Sequence, residues 1–276
     1  MTAGRRGLLA SLASLLGGCS PAALLNATVP RRGYSREVDI AYGPDPRQRI
    51  DVYRPDRPAE RPCTVVFFYG GSWDSGSKAD YLFVGQSLAE AGHTAILPDY
   101  RLYPEIRFPA FVDDGAAAVR WAADRGDGRP LVVMGHSAGA HIALMLATDT
   151  PYLGRAGVER ASLAAAIGLA GPYDFLPLTS PRLVEIFGRR DDPATQPITF
   201  ARAPLPPALL IHGLDDRTVL PRNSERLAAA WRRAGAPVEL RLYPGVDHVD
   251  AIAAMAGLLK SRAPTRTDVT DWLAQR

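Results

Sequence analysis

Gly135-His136-Ser137-Ala138-Gly139 follows an apolar run at 131–134 and opens a stretch of helical spacing. A Gly-x-Ser-x-Gly sequence between strand and helix is a sharp turn that lifts the serine hydroxyl above the sheet, which makes Ser137 a candidate nucleophile. A phosphate-binding loop would compete for the same glycines, but no Gly-Lys-Ser/Thr follows. A serine hydroxyl needs a base, and the base needs an orienting carboxylate. On a turn of this kind the acid and then the base come later in the chain. Two histidines lie well downstream, His212 at the end of an apolar run and His248 in a loop past the last run. The loop position makes His248 the base, and His212 reads as structural. Asp215 and Asp216 both follow His212. In the spacing His-Gly-x-x-Asp-x-x-Val, completed here by Val219, the acid is Asp216 and Asp215 is left as a turn residue. Tyr69-Gly70-Gly71-Ser72-Trp73 directly follows the run at 64–68. Small residues there let backbone N–H groups approach a developing oxyanion, so Gly71, Ser72 and Ala138 are the expected donors.

These groups need a rigid frame. Residues 38–42 and 49–53 alternate apolar with polar around Gly43-Pro44-Asp45-Pro46, the pattern of an antiparallel hairpin at a sheet edge. The runs at 64–68, 94–97, 131–134, 164–169 and 208–211 are solidly apolar. Such strands are buried on both faces, as in a parallel sheet wrapped by helices. A last run, 238–243, alternates again and predicts the opposite edge. Helical spacing recurs at 82–91, 109–125, 138–148 and 223–234, the last stopped by Gly235. The expectation is an α/β fold: a mostly parallel eight-stranded sheet with helices on both faces. The proline-rich stretch 172–206 reads as an insertion above the sheet, a small cap. Residues 34–276 form the catalytic domain in this reading.

Taken together, these motifs resemble the α/β-hydrolase superfamily. Within it they are similar to the esterase group that includes hormone-sensitive-lipase-like enzymes, kynurenine formamidases and BD-FAE esterases. The resemblance rests on Tyr69 to Trp73, Asp99-Tyr100-Arg101-Leu102, the Ser137 turn, Gly171-Pro172-Tyr173-Asp174, His212 to Asp216 and Asp247-His248. It implies an α/β-hydrolase fold and a serine hydrolase of carboxylic esters. Amide hydrolysis on the same triad is the alternative, and a catalytically silent binding lipoprotein is an alternative of another class. These families usually open the oxyanion motif with His-Gly-Gly, and here Tyr69 takes the first position. Asp99-Tyr100-Arg101 reads as an acid–base pair bracing the loop after the fourth strand. Trp73, Tyr103, Tyr173 and Phe187 are pocket or core aromatics. His141 is expected to pack among the helices, and His93 merely to precede a strand.

The first twenty residues carry Arg5 and Arg6, a short apolar run, and Leu16-Gly17-Gly18-Cys19. That is the pattern of an export signal, and it resembles a bacterial lipoprotein signal cleaved before a lipidated Cys19. The alternative is an ordinary signal peptide, giving a secreted or periplasmic protein. The expected organisation is a signal at 1–18, a lipidated N-terminus and tether at 19–33, and a chain anchored in a bacterial cell envelope. Loss of residues 1–18 removes two arginines and no acid, taking the formal charge from +3 to +1. Cys63 is then left alone and no disulfide is expected. Of the 32 basic residues only Lys78 and Lys260 are lysines, and the arginines are interspersed with acids. No basic stripe marks a nucleic-acid partner. No apolar run reaches the roughly 18 residues of a membrane-spanning helix, so a multi-pass membrane protein is excluded. The composition, 47% hydrophobic and 22% charged, also excludes a disordered or fibrous chain. No metal or organic cofactor is implied, and the expected partner is a small-molecule ester.

Overall fold

The computed structural model describes residues 25–125, 128–148 and 150–276. Cys19 and the signal segment lie outside the described residues. Eight strands form one sheet in the order β1-β2-β4-β3-β5-β6-β7-β8. They are β1 (Tyr34–Ala41), β2 (Arg49–Pro55), β3 (Thr64–Phe68), β4 (Thr94–Pro98), β5 (Leu131–His136), β6 (Leu163–Leu169), β7 (Ala208–Gly213) and β8 (Val238–Tyr243). β1 and β2 pair antiparallel, and β2 joins β4 antiparallel. Every other neighbour is parallel. This is the α/β-hydrolase fold.

The burial pattern explains the order. β3, β4, β5 and β7 are buried at every residue and hold the centre, whereas β1 is almost wholly exposed. The β1 edge is irregular between Glu37 and Ile40, and it carries charge, including the Glu37–Arg54 ion pair. Both features blunt an edge against pairing with another chain.

The main helices are α1 (Leu82–Glu90), α2 (Ala110–Arg125), α3 (Ala138–Ala147), α4 (Pro181–Phe187), α5 (Arg222–Arg233) and α6 (Thr265–Leu273). Four match the expected helical stretches to within one residue at either end. α3 is buried along its whole length, because its residues, Ala-Gly-Ala-His-Ile-Ala-Leu-Met-Leu-Ala, carry no face that water would favour. The segment between β6 and β7 holds α4 and short turns at Pro193–Thr195 and Pro197–Phe200.

The expected tether is docked along part of its length. Leu25 and Val29 pack against the core, and Asn26 Nδ2 donates to the Ala79 carbonyl at 2.7 Å.

The strand order decides where a site can form. After β3 the chain moves to β4 on one side and then to β5 on the other. The crevice outside the carboxyl ends of β3 and β5 is therefore the topological switch point, where ligands bind in open α/β sheets. The Tyr69–Trp73 loop leaves β3 there, and Ser137 leaves β5.

Candidate active site

Ser137 has φ 53° and ψ −122°, a conformation that costs a non-glycine residue roughly 1–3 kcal/mol. The surroundings impose it. Its N–H donates to the Leu169 carbonyl of β6 at 2.9 Å, and its own carbonyl accepts from Ala140 and His141 to begin α3. The flanking glycines are a matter of space: a Cβ on Gly139 would lie 2.0 Å from the Phe68 carbonyl oxygen, and one on Gly135 would lie 2.2 Å from the Gly139 oxygen.

His248 sits in the loop after β8, and its Nδ1 donates to Asp216 Oδ2 at 2.7 Å. The Asp216 carboxylate is almost fully buried and saturated with donors. Oδ1 accepts the amides of Thr218 and Val219, both at 2.9 Å, and Oδ2 also lies 3.2 Å from His212 Nε2. Burial alone would raise its pKa. The hydrogen bonds from His212, His248 and the Val219 amide overcome that and hold the carboxyl well below the usual range. Asp215, by contrast, is exposed and directs its backbone N–H to Val246.

His212 has a larger part than a strand-end residue. Its Nε2 reaches both Asp216 and the Val219 carbonyl, the latter at 2.8 Å, and its Nδ1 accepts from Ser224 Oγ at 2.7 Å. The spacing His212–Asp216–Val219 is thus one closed hydrogen-bonded unit: Val219 gives its N–H to the acid and takes the histidine's hydrogen on its carbonyl. Residue order alone showed the spacing but not this bond.

His136, beside the nucleophile in sequence, turns beneath the site. Its Nε2 donates to the His248 carbonyl at 3.2 Å, and the two rings lie 4.9 Å apart. Burial, and after it the neighbouring His248, pushes its pKa down to about 3, so the ring is neutral. His141 is buried among aromatic rings, including Trp73 and Phe187, and Nε2 bonds the Thr195 carbonyl at 2.8 Å. It ties α3 to the segment above the sheet.

In the loop after β3, Gly71, Ser72 and Trp73 all have positive φ. The Gly71 carbonyl is turned back onto Asp74 N and Ser75 N, at 3.1 and 3.0 Å. Among the described residues, nothing accepts a hydrogen bond from the amides of Gly71, Ser72 or Ala138. Unpaired donors at the mouth of a site are what an anion needs. Tyr69, at the first position of this loop, is directed into the core. Its ring stacks on Tyr100 at 4.5 Å, and its hydroxyl accepts from Arg47 at 3.0 Å.

Ser72, Trp73 and Ser137 share the wall of a cavity of ≈ 410 Å³, completed by Phe175, Leu176 and Leu183 from the segment above. Of the four aromatics considered for it, only Trp73 lines this space. Phe187 packs edge-on behind Trp73 at 4.8 Å, Tyr173 is fully buried, and Tyr103 lies outside, donating to Glu185 at 2.8 Å. Phe175 was missed because nothing in its sequence context separates a pocket wall from a core.

The bracing pair also differs from expectation. Arg101 forks onto Asp114 of α2, with Nη2–Oδ1 2.7 Å and Nε–Oδ2 2.9 Å, and not onto Asp99. Asp99 accepts the Lys78 amide at 2.7 Å. His93, read as incidental, accepts the Cys63 amide on Nδ1 at 3.2 Å.

Comparison with known proteins gives this frame a family. The BD-FAE family model matches residues 50–231, from β2 through most of α5. The chain belongs to the BD-FAE family. This BD-FAE chain is 31% identical over 245 residues to a probable isoprenylcysteine alpha-carbonyl methylesterase of Oryza sativa, covering 79% of this chain and 59% of that protein. It is 30% identical over 249 residues to esterase LipC of Mycobacterium tuberculosis, covering 79% and 60%. It therefore spans about three fifths of the length of these curated relatives. Among solved structures, a propionate-bound thermophilic esterase from Thermogutta terrifontis superposes with TM-score 0.70 at 26% identity, covering 89% of this chain and 96% of that one. A carbohydrate esterase from gut microbiota shares the fold with TM-score 0.74 at 21% identity, covering 89% and 98%.

Proposed function

We propose that this BD-FAE chain hydrolyses carboxylic esters through Ser137, His248 and Asp216. The observations that carry the reading are the 2.7 Å bond from His248 Nδ1 to a buried Asp216 and a serine on a strained turn that lines a largely apolar cavity. The esterase names of its relatives support it. In the first step Ser137 Oγ attacks the ester carbonyl while His248 Nε2 takes its proton. Asp216 fixes the tautomer that leaves Nε2 free to accept, and stabilises the imidazolium. The carbonyl oxygen becomes an oxyanion held by the amides of Gly71, Ser72 and Ala138, each worth about 3 kcal/mol in comparable sites. His248 then protonates the departing alcohol as the acyl C–O bond breaks. Water, deprotonated by the same imidazole, releases the acid and restores Ser137.

The test is release of p-nitrophenol from acetyl and butyryl esters by the chain and by Ser137→Ala. Hydrolysis that disappears with the hydroxyl supports the reading. Hydrolysis of anilide or formamide substrates alone would replace it with amide chemistry. Export with a lipid on Cys19 belongs to the same proposal, supported by the charge and apolar pattern of residues 1–20. Metabolic labelling with a fatty acid, lost in Cys19→Ala, would test it.

A further inference from the structure

The cavity that holds Ser137 also carries a cation. Arg222, the first residue of α5, is the one charged residue on its described lining; the rest of the wall is apolar or neutral, with Phe175, Leu176, Leu183 and Val219 among it. Among the described residues, no carboxylate lies within ion-pair distance of the Arg222 guanidinium. The acid on the facing segment, Asp174, is already held by Arg226 one turn along the helix, at 2.8 Å. Asn223, the adjacent lining residue, is already engaged at both ends of its amide. Its Oδ1 accepts the amides of Tyr173 and Asp174, both at 2.9 Å, and its Nδ2 donates to the Leu220 carbonyl at 3.0 Å. The guanidinium thus brings five unspent N–H donors to a cavity whose lining also includes Ser137.

Resting on the reading of Ser137 as a nucleophile, we propose that Arg222 selects esters carrying a second, free carboxylate. The carboxylate meets the guanidinium fork while the scissile carbonyl lies at Ser137. An arginine suits this better than a lysine, because its planar fork matches both carboxylate oxygens at once. A neutral ester of equal size fills the apolar wall and leaves the fork in water. A charge-assisted hydrogen bond of this kind corresponds to a preference of about tenfold in kcat/KM.

The experiment compares matched pairs. On the acyl side, p-nitrophenyl monoadipate is set against p-nitrophenyl hexanoate. On the alcohol side, 3-acetoxybenzoate is set against 3-acetoxybenzamide. Each pair is measured with the unaltered chain, with Arg222→Gln, and with Arg226→Gln as a control outside the cavity lining. The readout is the charged-to-neutral ratio of kcat/KM, which cancels any loss common to both substrates. The expected result is a ratio that falls about tenfold in Arg222→Gln for at least one pair, and holds in Arg226→Gln. The preference of the unaltered chain should also shrink with added salt. Unchanged ratios in Arg222→Gln alongside brisk hydrolysis of the neutral esters would overturn the role of Arg222 and leave the esterase reading standing. Absence of hydrolysis for all four substrates would sink the esterase reading and this inference with it.

Discussion

Replacing Asp216 by asparagine keeps the shape of the side chain and changes only what its two ends can do. In the carboxylate, Oδ1 receives two backbone amides and Oδ2 receives the ring N–H groups of His248 and His212. An asparagine has one oxygen and one NH2. The amides of Thr218 and Val219 are fixed by the turn, so the oxygen must face them. The NH2 is then set against His248 Nδ1 and His212 Nε2, donor against donor. His248 can relieve the clash only by adopting the tautomer with Nδ1 bare and Nε2 protonated, and that tautomer cannot take a proton from Ser137. The loss is of the order of 10⁴ in kcat, or about 5.5 kcal/mol, as in other triads forced into the wrong tautomer. The assay is kcat and KM for p-nitrophenyl butyrate, with circular dichroism to establish that the variant is folded. KM should move little, since Asp216 does not line the cavity. A folded Asp216→Asn retaining more than about a tenth of the original kcat would refute the reasoning.

Other consequences follow from the same geometry. His212→Phe removes one donor to Asp216 and strands both Ser224 Oγ and the Val219 carbonyl; a stability loss of about 2–4 kcal/mol in urea titration is expected, with a fall in kcat of about tenfold, and a wild-type kcat would show that the His212–Asp216 bond is idle. Gly139→Ala places a methyl 2.0 Å from the Phe68 carbonyl oxygen and should abolish soluble folded protein, whereas Gly154→Ala, with nothing within 4 Å, should leave the melting temperature nearly unchanged; equal melting temperatures would contradict the close approach. Stability should also fall with acid. His136 and His141 are buried neutral, with pKa values pushed down to about 3 and about 4, while unfolded histidine titrates near 6.5. Their contribution is complete above about pH 6.5 and is lost as the pH drops toward those folded values, costing on the order of 2 kcal/mol each by pH 5. Asp216, whose pKa is also lowered, adds to the loss only below about pH 4, where the unfolded carboxyl begins to protonate. Urea midpoints that do not change between pH 7 and pH 5 would contradict this.

The geometry of the candidate site was legible in sequence where a local rule forces it. The Ser137 turn is one such place, because only glycines at 135 and 139 clear the Gly139 and Phe68 oxygens. The two edges were another, since residues 38–42 and 238–243 alternate in sequence and β1 and β8 stand at the two ends of the sheet. What stayed hidden was pairing across distance. Arg101 could have met Asp99 two residues away, but the fold brings Asp114 of α2 to it. Lys78 gave no local sign that it would be buried between Asp39 and Asp51, at 2.6 and 2.8 Å. Helix α6 was missed because it buries only Thr265, Val269, Trp272 and Leu273, too few apolar positions to set up a period. The support given to Asp216 by His212, and to His248 by His136, likewise depends on how the loops after β5, β7 and β8 meet above the sheet.

The most direct test is to find which atom the reaction marks. The chain is treated with a p-nitrophenyl alkylphosphonate, the released p-nitrophenol is counted, and the labelled protein is digested and mapped by mass spectrometry. The expected result is one equivalent of p-nitrophenol per chain, the phosphonyl group on Ser137, and neither label nor ester hydrolysis in Ser137→Ala. A label on any other residue, or full esterase activity in Ser137→Ala, would contradict the assignment of Ser137 as the nucleophile.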